Sequence, residues 1–461
     1  MLVKTQPQRV IDIVLGMQER LSKDSRNSSL PPSQDGLKKI PRTRSLRGVS
    51  GKKPGGQKDH VGSRLEPVAH PDHTQPHPVE ACQGCGQDLS RQAADDLERR
   101  QVFDLPPLKP IITEHQGEVK VCPRCGRENR ATFPERVTQA TQYGPCVNAL
   151  AIYCTQWQLL PMERTASLFE ELFGLPLGTG TLCDMIQRAS LSLEDVEAQI
   201  RDQIRRSPIV NFDESGVRCQ KKLGWVHCAS TPELTIYHYD AKRGNQAMNA
   251  MGILPTFQGR AIHDHLNAYF LYACRHGLCN AHHLRELIFI AEQYHEDWAK
   301  KMMACLRGML GAVEAAKACG RSALSSQELQ QWQKRYDQVL KQAQQYHAAL
   351  AALPAHKGRG RKKQRPGKNL LDRLDCDQEA VLAFLYDFTV PFTNNLAERD
   401  IRMAKLKQKI SGCFRSLLGA QAFCRIRGYL STAHKQGWNI FKALQSVAIG
   451  SPWIPAQNFP A

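Results

Sequence analysis

The sequence predicts a mixed α/β fold preceded by a cysteine-built ribbon. Three observations carry this: strand-like apolar runs follow one another between Ile209 and Cys279, amphipathic helical patterns flank them, and two C-x-x-C pairs stand upstream. The 461 residues, 41% of them hydrophobic, are enough for two or three domains with separate cores. A formal net charge of +18 points to a polyanionic partner. No apolar stretch approaches the ~18–20 residues needed to cross a bilayer. The first residues also lack the cleavage pattern of a secretory signal. The sixteen cysteines do not describe a disulfide framework. Apart from the two pairs, most sit singly in apolar segments (Cys146, Cys154, Cys183, Cys228, Cys305), where reduced cysteine behaves as a small hydrophobe in a reducing cytoplasm.

In chain order, residues 1–26 hold a short amphipathic helix, with Val10, Ile13, Val14, Met17 and Leu21 roughly on one face. Residues 27–78 turn to Ser, Pro, Gly, Lys, Arg and His and read as a flexible basic arm. Seven Lys or Arg and no acid lie between Leu37 and Lys53. The segment 79–135 contains both C-x-x-C pairs, and VFDLPPLKPIITEHQGEVKV between them reads as a β-hairpin. Residues 140–206 are helical in pattern. Two amphipathic runs joined by LPLGT have the layout of a helix-turn-helix, or equally of a plain helical hairpin packed on the core. Strands follow over 207–284. A helical stretch over 285–388 carries the run HKGRGRKKQRPGK at 356–368, with seven Lys or Arg. Residues 389–461 are helical again.

The pairs Cys82-x-x-Cys85-Gly86 and Cys122-x-x-Cys125-Gly126 can supply four thiolates to one tetrahedral structural zinc. A thioredoxin-like role would need one C-x-x-C at a helix start instead. His70, His73 and His77 are spare candidates, better read as loop histidines. Three acids stand out downstream. Asp213 lies in IVNFDESGVRC, where an acid inside an apolar strand is costly unless paired or metal-bound. Alternation puts Glu214 on the opposite face, with Phe212. Asp264 repeats the situation at the end of AIHD, between His263 and His265. Glu398 opens a cationic helix after Asn394 and Asn395, which read as its caps. By itself Glu398 is an ordinary ion-paired helix residue with Arg402 at i+4. Asp400 points to another face and Asp387 lies one helix earlier. The flank with Arg399, Arg402, Lys405, Lys407 and Lys409 suits a site that holds a phosphate backbone. Carboxylates converging from separate elements could hold two divalent metals for attack on a phosphodiester. Cys279-x-x-His282 reads as a brace at a strand-to-helix junction, since two ligands do not make a metal site.

With these pieces together, the sequence resembles the IS66 family of bacterial insertion-sequence transposases. NSSLPPSQDG, KPGGQKDHVG, the two knuckles, NFDESGVR, GRAIHDHLNAYF, LCNAHHLREL and NNLAERDIRMAK occur in order along almost the whole chain. The resemblance implies an RNase H-like core with a DDE triad of Asp213, Asp264 and Glu398, interrupted by a helical insertion at roughly 285–385. It matches Cys279 and His282 to a C-x-x-H signature seen in several DDE groups. It implies two Mg²⁺ (or Mn²⁺) ions, a structural Zn²⁺, and DNA as partner, both transposon ends and target. A homo-oligomer in the synaptic complex, companion proteins of the same element and a nucleoid-associated cytoplasmic location follow from the same resemblance. Candidate DNA contacts are Lys38, Lys39, Arg42, Arg44, Lys52 and Lys53 in the arm, Arg359, Arg361, Lys362 and Lys363 in the second basic run, and Arg399 and Arg402 beside the third acid. The alternatives are a zinc-ribbon DNA-binding regulator and a metal-dependent nuclease that cuts without joining.

Overall fold

The structure, a computed structural model, describes residues 65–351 and 364–456, with Met17 alone before them. The N-terminal helix (Met17 apart), the arm lysines and arginines, and Arg359, Arg361, Lys362 and Lys363 lie outside these residues. Two compact units are present, Lys38–Ile112 and Thr113–Ala461 with Met1–Leu37. In the first, the chain reverses around Cys82: its N–H donates to the Gln87 carbonyl at 2.9 Å, and Gly86 N–H to the Cys82 carbonyl at 2.9 Å. Gly86 takes φ +76, which an L side chain rarely adopts.

The second unit repeats this turn around Cys122, with donations to Arg127 at 2.8 Å and from Gly126 at 2.9 Å. Two three-residue strands flank it, β1 (Val119–Val121) and β2 (Glu128–Arg130), paired antiparallel. The hairpin expected between the knuckles is therefore absent. Residues 102–118 form no strand, because Pro106, Pro107 and Pro110 have no N–H for a ladder, and the pairing is made around the second knuckle instead.

Helices α1 (Pro145–Ile152), α2 (Met162–Phe173), α3 (Thr179–Ser192) and α4 (Glu194–Arg206) follow. The α2–α3 pair turns at Gly174 (φ +63) and buries Phe169, Leu182 and Met185. Then come β3 (Ile209–Cys219), β4 (Lys222–Ser230), β5 (Thr235–Asp240), α5 (Asn245–Met251), β6 (Arg260–His263) and β7 (Arg275–Leu278). They form one sheet in the order β5-β4-β3-β6-β7, antiparallel among β3, β4 and β5 and parallel from β3 to β6 to β7. Helices α6 (Asn280–Gln293), α7 (Asp297–Ala318), α8 (Ser326–Ala349), α9 (Pro366–Cys376), α10 (Gln378–Val381) and α11 (Ala383–Tyr386) come next. The chain closes with α12 (Asn395–Ser411), α13 (Leu417–Lys435) and α14 (Ile440–Ala448).

Alternation along the strands divides the core. Val210, Phe212, Ala229, Ile236 and Ala261 pack with α1, α4, α5, α13 and α14. Val217, Val226, Cys228 and Tyr237 meet Ile401 and Ala404 of α12 and Phe423 of α13. Ile262 and Leu278 join the helices from α6 to α11 in a third cluster. Burial of each large apolar side chain contributes about 1.5–3 kcal/mol. Of the lone cysteines, Cys154, Cys228 and Cys305 are buried in this way, whereas Cys146 and Cys183 are exposed, on helix faces turned from the core.

One glycine sets the β3–β6 approach. A Cβ at Gly259 would lie 2.6 and 2.7 Å from the carbonyl oxygens of Ser207 and Pro208, while Arg260 N–H donates to Pro208 at 2.8 Å. Gly259→Ala should destabilise the second unit by about 1–3 kcal/mol through overpacking against backbone. Denaturant unfolding measures it; an unchanged midpoint would mean that the strand has room to move.

Candidate active site

The parallel ladder sets the first two acids side by side. Ile209 pairs with Arg260 and Asn211 with Ile262, so continuing this register by two residues puts Asp213 level with Asp264, just beyond the carboxyl end of β6. That end of parallel strands is where open α/β sheets bind ligands. Each aspartate has one oxygen held by a neighbouring amide: Glu214 N–H donates to Asp213 Oδ1 at 2.9 Å, and Leu266 N–H to Asp264 Oδ1 at 3.0 Å.

Burial, then the charges of Glu214, Asp264 and Glu398, hold the Asp213 carboxyl well above the usual carboxylate range. Burial and the Glu214 charge push Asp264 up to about 6. All three acids thus share one electrostatic neighbourhood on separate elements, β3, the end of β6, and α12. Self-repelling buried carboxylates are a fit for a bound cation. Glu214 is otherwise engaged. Its side chain is 1% exposed, pairs with Arg243 at 2.8 Å and accepts from the Tyr269 hydroxyl at 2.8 Å.

How α12 arrives depends on a residue whose role the sequence did not reveal. Asn394 stands at the helix start but its side chain caps nothing. It turns inward instead: Nδ2 donates to the Phe212 carbonyl at 2.7 Å, and Oδ1 accepts from Asn211 Nδ2 at 2.9 Å. Asn394 is 1% exposed and Asn211 4%. Its own N–H donates to Cys279 Sγ at 3.1 Å. The reading of Asn394 as a cap is thereby corrected. Asn211, an amide in an apolar run, was the available signal.

Glu398 escapes the i+4 pairing that its sequence suggests. Its Oε1 accepts from Cys279 Sγ at 3.6 Å and lies 3.7 Å from His282 Nδ1. Among the described residues, this is the group of three whose ligand atoms all lie within 4.8 Å of one another; Asp213, Asp264 and Glu398 are not so close. The neighbouring acids are committed elsewhere. Asp400 accepts from Lys435 at 2.7 Å, Ser230 at 2.5 Å and Thr235 at 3.1 Å. Asp387 accepts from Thr389 N–H at 2.9 Å.

The row of cations after Glu398 divides in two. Arg399, Arg402 and Lys409 are exposed. Lys405 donates to the Gly216 carbonyl and Lys407 to the Gly412 carbonyl, so these two fasten the helix and its end. The histidines beside Asp264 are structural neighbours: His263 stacks on Tyr269 at 4.4 Å, and His265 contacts Asp377 at 2.7 Å.

The Asp264 shift sets a pH dependence. A carboxyl whose folded pKa is raised stabilises the fold below its unfolded value and loses that contribution as pH rises through the folded value. Asp264→Asn should therefore raise the melting temperature of the metal-free protein at pH 8. The gain should shrink as the pH is taken below the Asp264 value of about 6. Thermal melts across pH 5–8 check this; a gain independent of pH would place its origin outside the acid cluster.

Residues 140–422 match the transposase IS66 family, and residues 80–126 match the zinc-finger binding domain of transposase IS66. Residues 1–66 match a family of unknown function. No curated protein matches the chain. The first match takes in more than half of the chain, with the sheet and all three acids, and the second takes in Cys82, Cys85, Cys122 and Cys125. Among the described residues no helix is long and apolar enough to cross a membrane. The chain belongs to the IS66 transposase family, and transposition makes DNA its partner.

Proposed function

We propose that this chain is a DDE transposase, which cleaves insertion-sequence ends and joins the freed 3′-hydroxyl to target DNA. The observation that carries the reading is Asp213 on β3 and Asp264 just past the end of its parallel neighbour β6, level when the ladder register is continued, with the Glu398 charge acting on Asp213. An RNase H-like core is the reading given to the sheet, in which three antiparallel strands are followed by two parallel ones. The helices between β7 and α12 are the insertion within it.

Divalent magnesium or manganese held by these acids would supply a nucleophilic water and neutralise charge at the leaving 3′-oxygen. The chain's own contribution is placement. The amides of Glu214 and Leu266 fix one oxygen of each aspartate, which leaves the other for the cation. Burial keeps the His282 imidazole neutral, with its pKa down to about 3, so it adds no charge beside Glu398. Exposed Arg399 and Arg402, one and four residues beyond Glu398, are placed to hold the phosphate backbone. The arm and the second basic run would add sequence-independent phosphate contacts. Action as a homo-oligomer, with companion proteins of the same element, belongs to the same proposal.

The spacing of the two C-x-x-C pairs and the zinc-finger match support a structural zinc. Each sets backbone N–H groups toward its first cysteine, and these hydrogen bonds hold the Cys82 and Cys122 thiols below their usual range, favouring the thiolate that zinc requires. Cys82, Cys85, Cys122 and Cys125 are the four ligands we assign.

The test is a cleavage and strand-transfer assay with Mg²⁺ on a transposon-end duplex. Glu398→Gln should keep DNA binding and lose about 10²–10³-fold or more in rate, the scale of removing one transition-state electrostatic contact. Normal activity in that variant would remove Glu398 from the triad. A wild-type chain that bound the duplex without cutting would be a regulator, and one that cut without a joined product would be a nuclease.

A further inference from the structure

Cys279 closes the strand-to-helix junction after β7, and His282 lies three residues on, one turn into α6. Glu398 reaches them from the first turn of α12. The set is sequestered: Cys279 is 1% exposed, and the side chains of His282 and Glu398 are 16% and 19% exposed. As a hydrogen-bonded cluster it is incomplete. Nδ1 of His282 has no hydrogen-bond partner, and 3.7 Å to Glu398 Oε1 is too long to supply one. Leaving such an atom unpaired is costly and asks for a reason.

A cation accounts for the spacing. Zinc holds a thiolate at about 2.3 Å and nitrogen or carboxylate oxygen at about 2.0–2.2 Å, so tetrahedral angles put neighbouring ligand atoms about 3.4–3.6 Å apart. The separations here are 3.6 Å for sulfur to oxygen and 3.7 Å for nitrogen to the same oxygen. The donor set selects the metal class. One thiolate, one imidazole and one carboxylate suit a borderline-soft ion, whereas magnesium demands an octahedron of oxygens. We infer that Cys279, His282 and Glu398 form a zinc-type site separate from the cysteine knuckles, with three protein ligands and its fourth position open.

Binding replaces the Cys279 thiol proton, which is released to solvent, and ties the first turns of α6 and α12 together through one ion. The carboxylate of Glu398 has two oxygens; one taken by this ion leaves the second for the catalytic cation. That consequence rests on the proposed role of Glu398 in catalysis. The cation site does not.

The experiment is metal analysis and cobalt substitution on the full chain. Wild type should carry about two zinc ions per chain, one in the knuckles and one here, each with a tetrahedral donor set. A Cys82→Ser and Cys122→Ser variant should retain one. Its cobalt form should show tetrahedral visible bands and a single-thiolate charge-transfer band. Adding Cys279→Ser should abolish that band. The knuckle variant leaves the inferred site untouched, so zinc absent from it, or a cobalt spectrum that Cys279→Ser does not alter, overturns the proposal. Metal content is read without DNA, so its failure is separate from failure of the strand-transfer reading.

Discussion

A single buried amide ties together three distant segments, β3, the end of β7 and the start of α12. Asn394 bonds the Phe212 carbonyl and the Asn211 side chain of β3, and its own N–H meets Cys279 at the end of β7. Further along α12, Ile401 and Ala404 pack without direction and Asp400 and Lys405 hydrogen-bond to the sheet and α13, but at the start of the helix the directional contacts are those of Asn394. The hydrogen bonds supply the direction. They fix where the first turn starts, and Glu398 lies in that turn.

The rest of the core keeps the tie in place. The β3–β4 hairpin turns through Gln220 and Lys221, both with positive φ, held by the Gln220 N–H to the Phe414 carbonyl at 2.8 Å. Asp400 and Lys435, paired at 2.7 Å, bind α12 and α13 to the β4–β5 corner. Thr432 of α13 exchanges hydrogen bonds with Thr235 of β5. Arg427 lies over the Trp157 ring at 4.2 Å and donates to the carbonyls of Gln156 and Trp157. The raised carboxyls of Asp213 and Asp264 therefore sit inside a frame braced on both faces, where a buried cluster of like charge is tolerated.

What the sequence made legible was local. The strands around Asp213 and Asp264 show in their apolar runs, the knuckles in Cys and Gly spacing, and the family in ordered motifs. What it hid was tertiary. Asn394 reads as a cap because asparagine at a helix start usually is one, and nothing nearby reveals a partner on β3. Lys405 and Lys407 look like phosphate ligands until their carbonyl acceptors are seen. The C-x-x-H pair reads as a brace because its third neighbour, Glu398, is more than a hundred residues away. The hairpin misplaced between the knuckles reflects apolar alternation outweighing three prolines that forbid a ladder.

If Asn394 sets Glu398 toward the two aspartates of the proposed metal site, manganese affinity reads that directly. Loss of a residue that orients a metal ligand costs about 10–100-fold in metal binding. Titration of Mn²⁺ into the full chain, followed by electron paramagnetic resonance, should show a loss of that size for Asn394→Ala. Asn394→Ser, which can cap a helix but cannot reach β3, should lose as much. Wild-type affinity in Asn394→Ser with the fold intact would make the residue a cap and contradict the account.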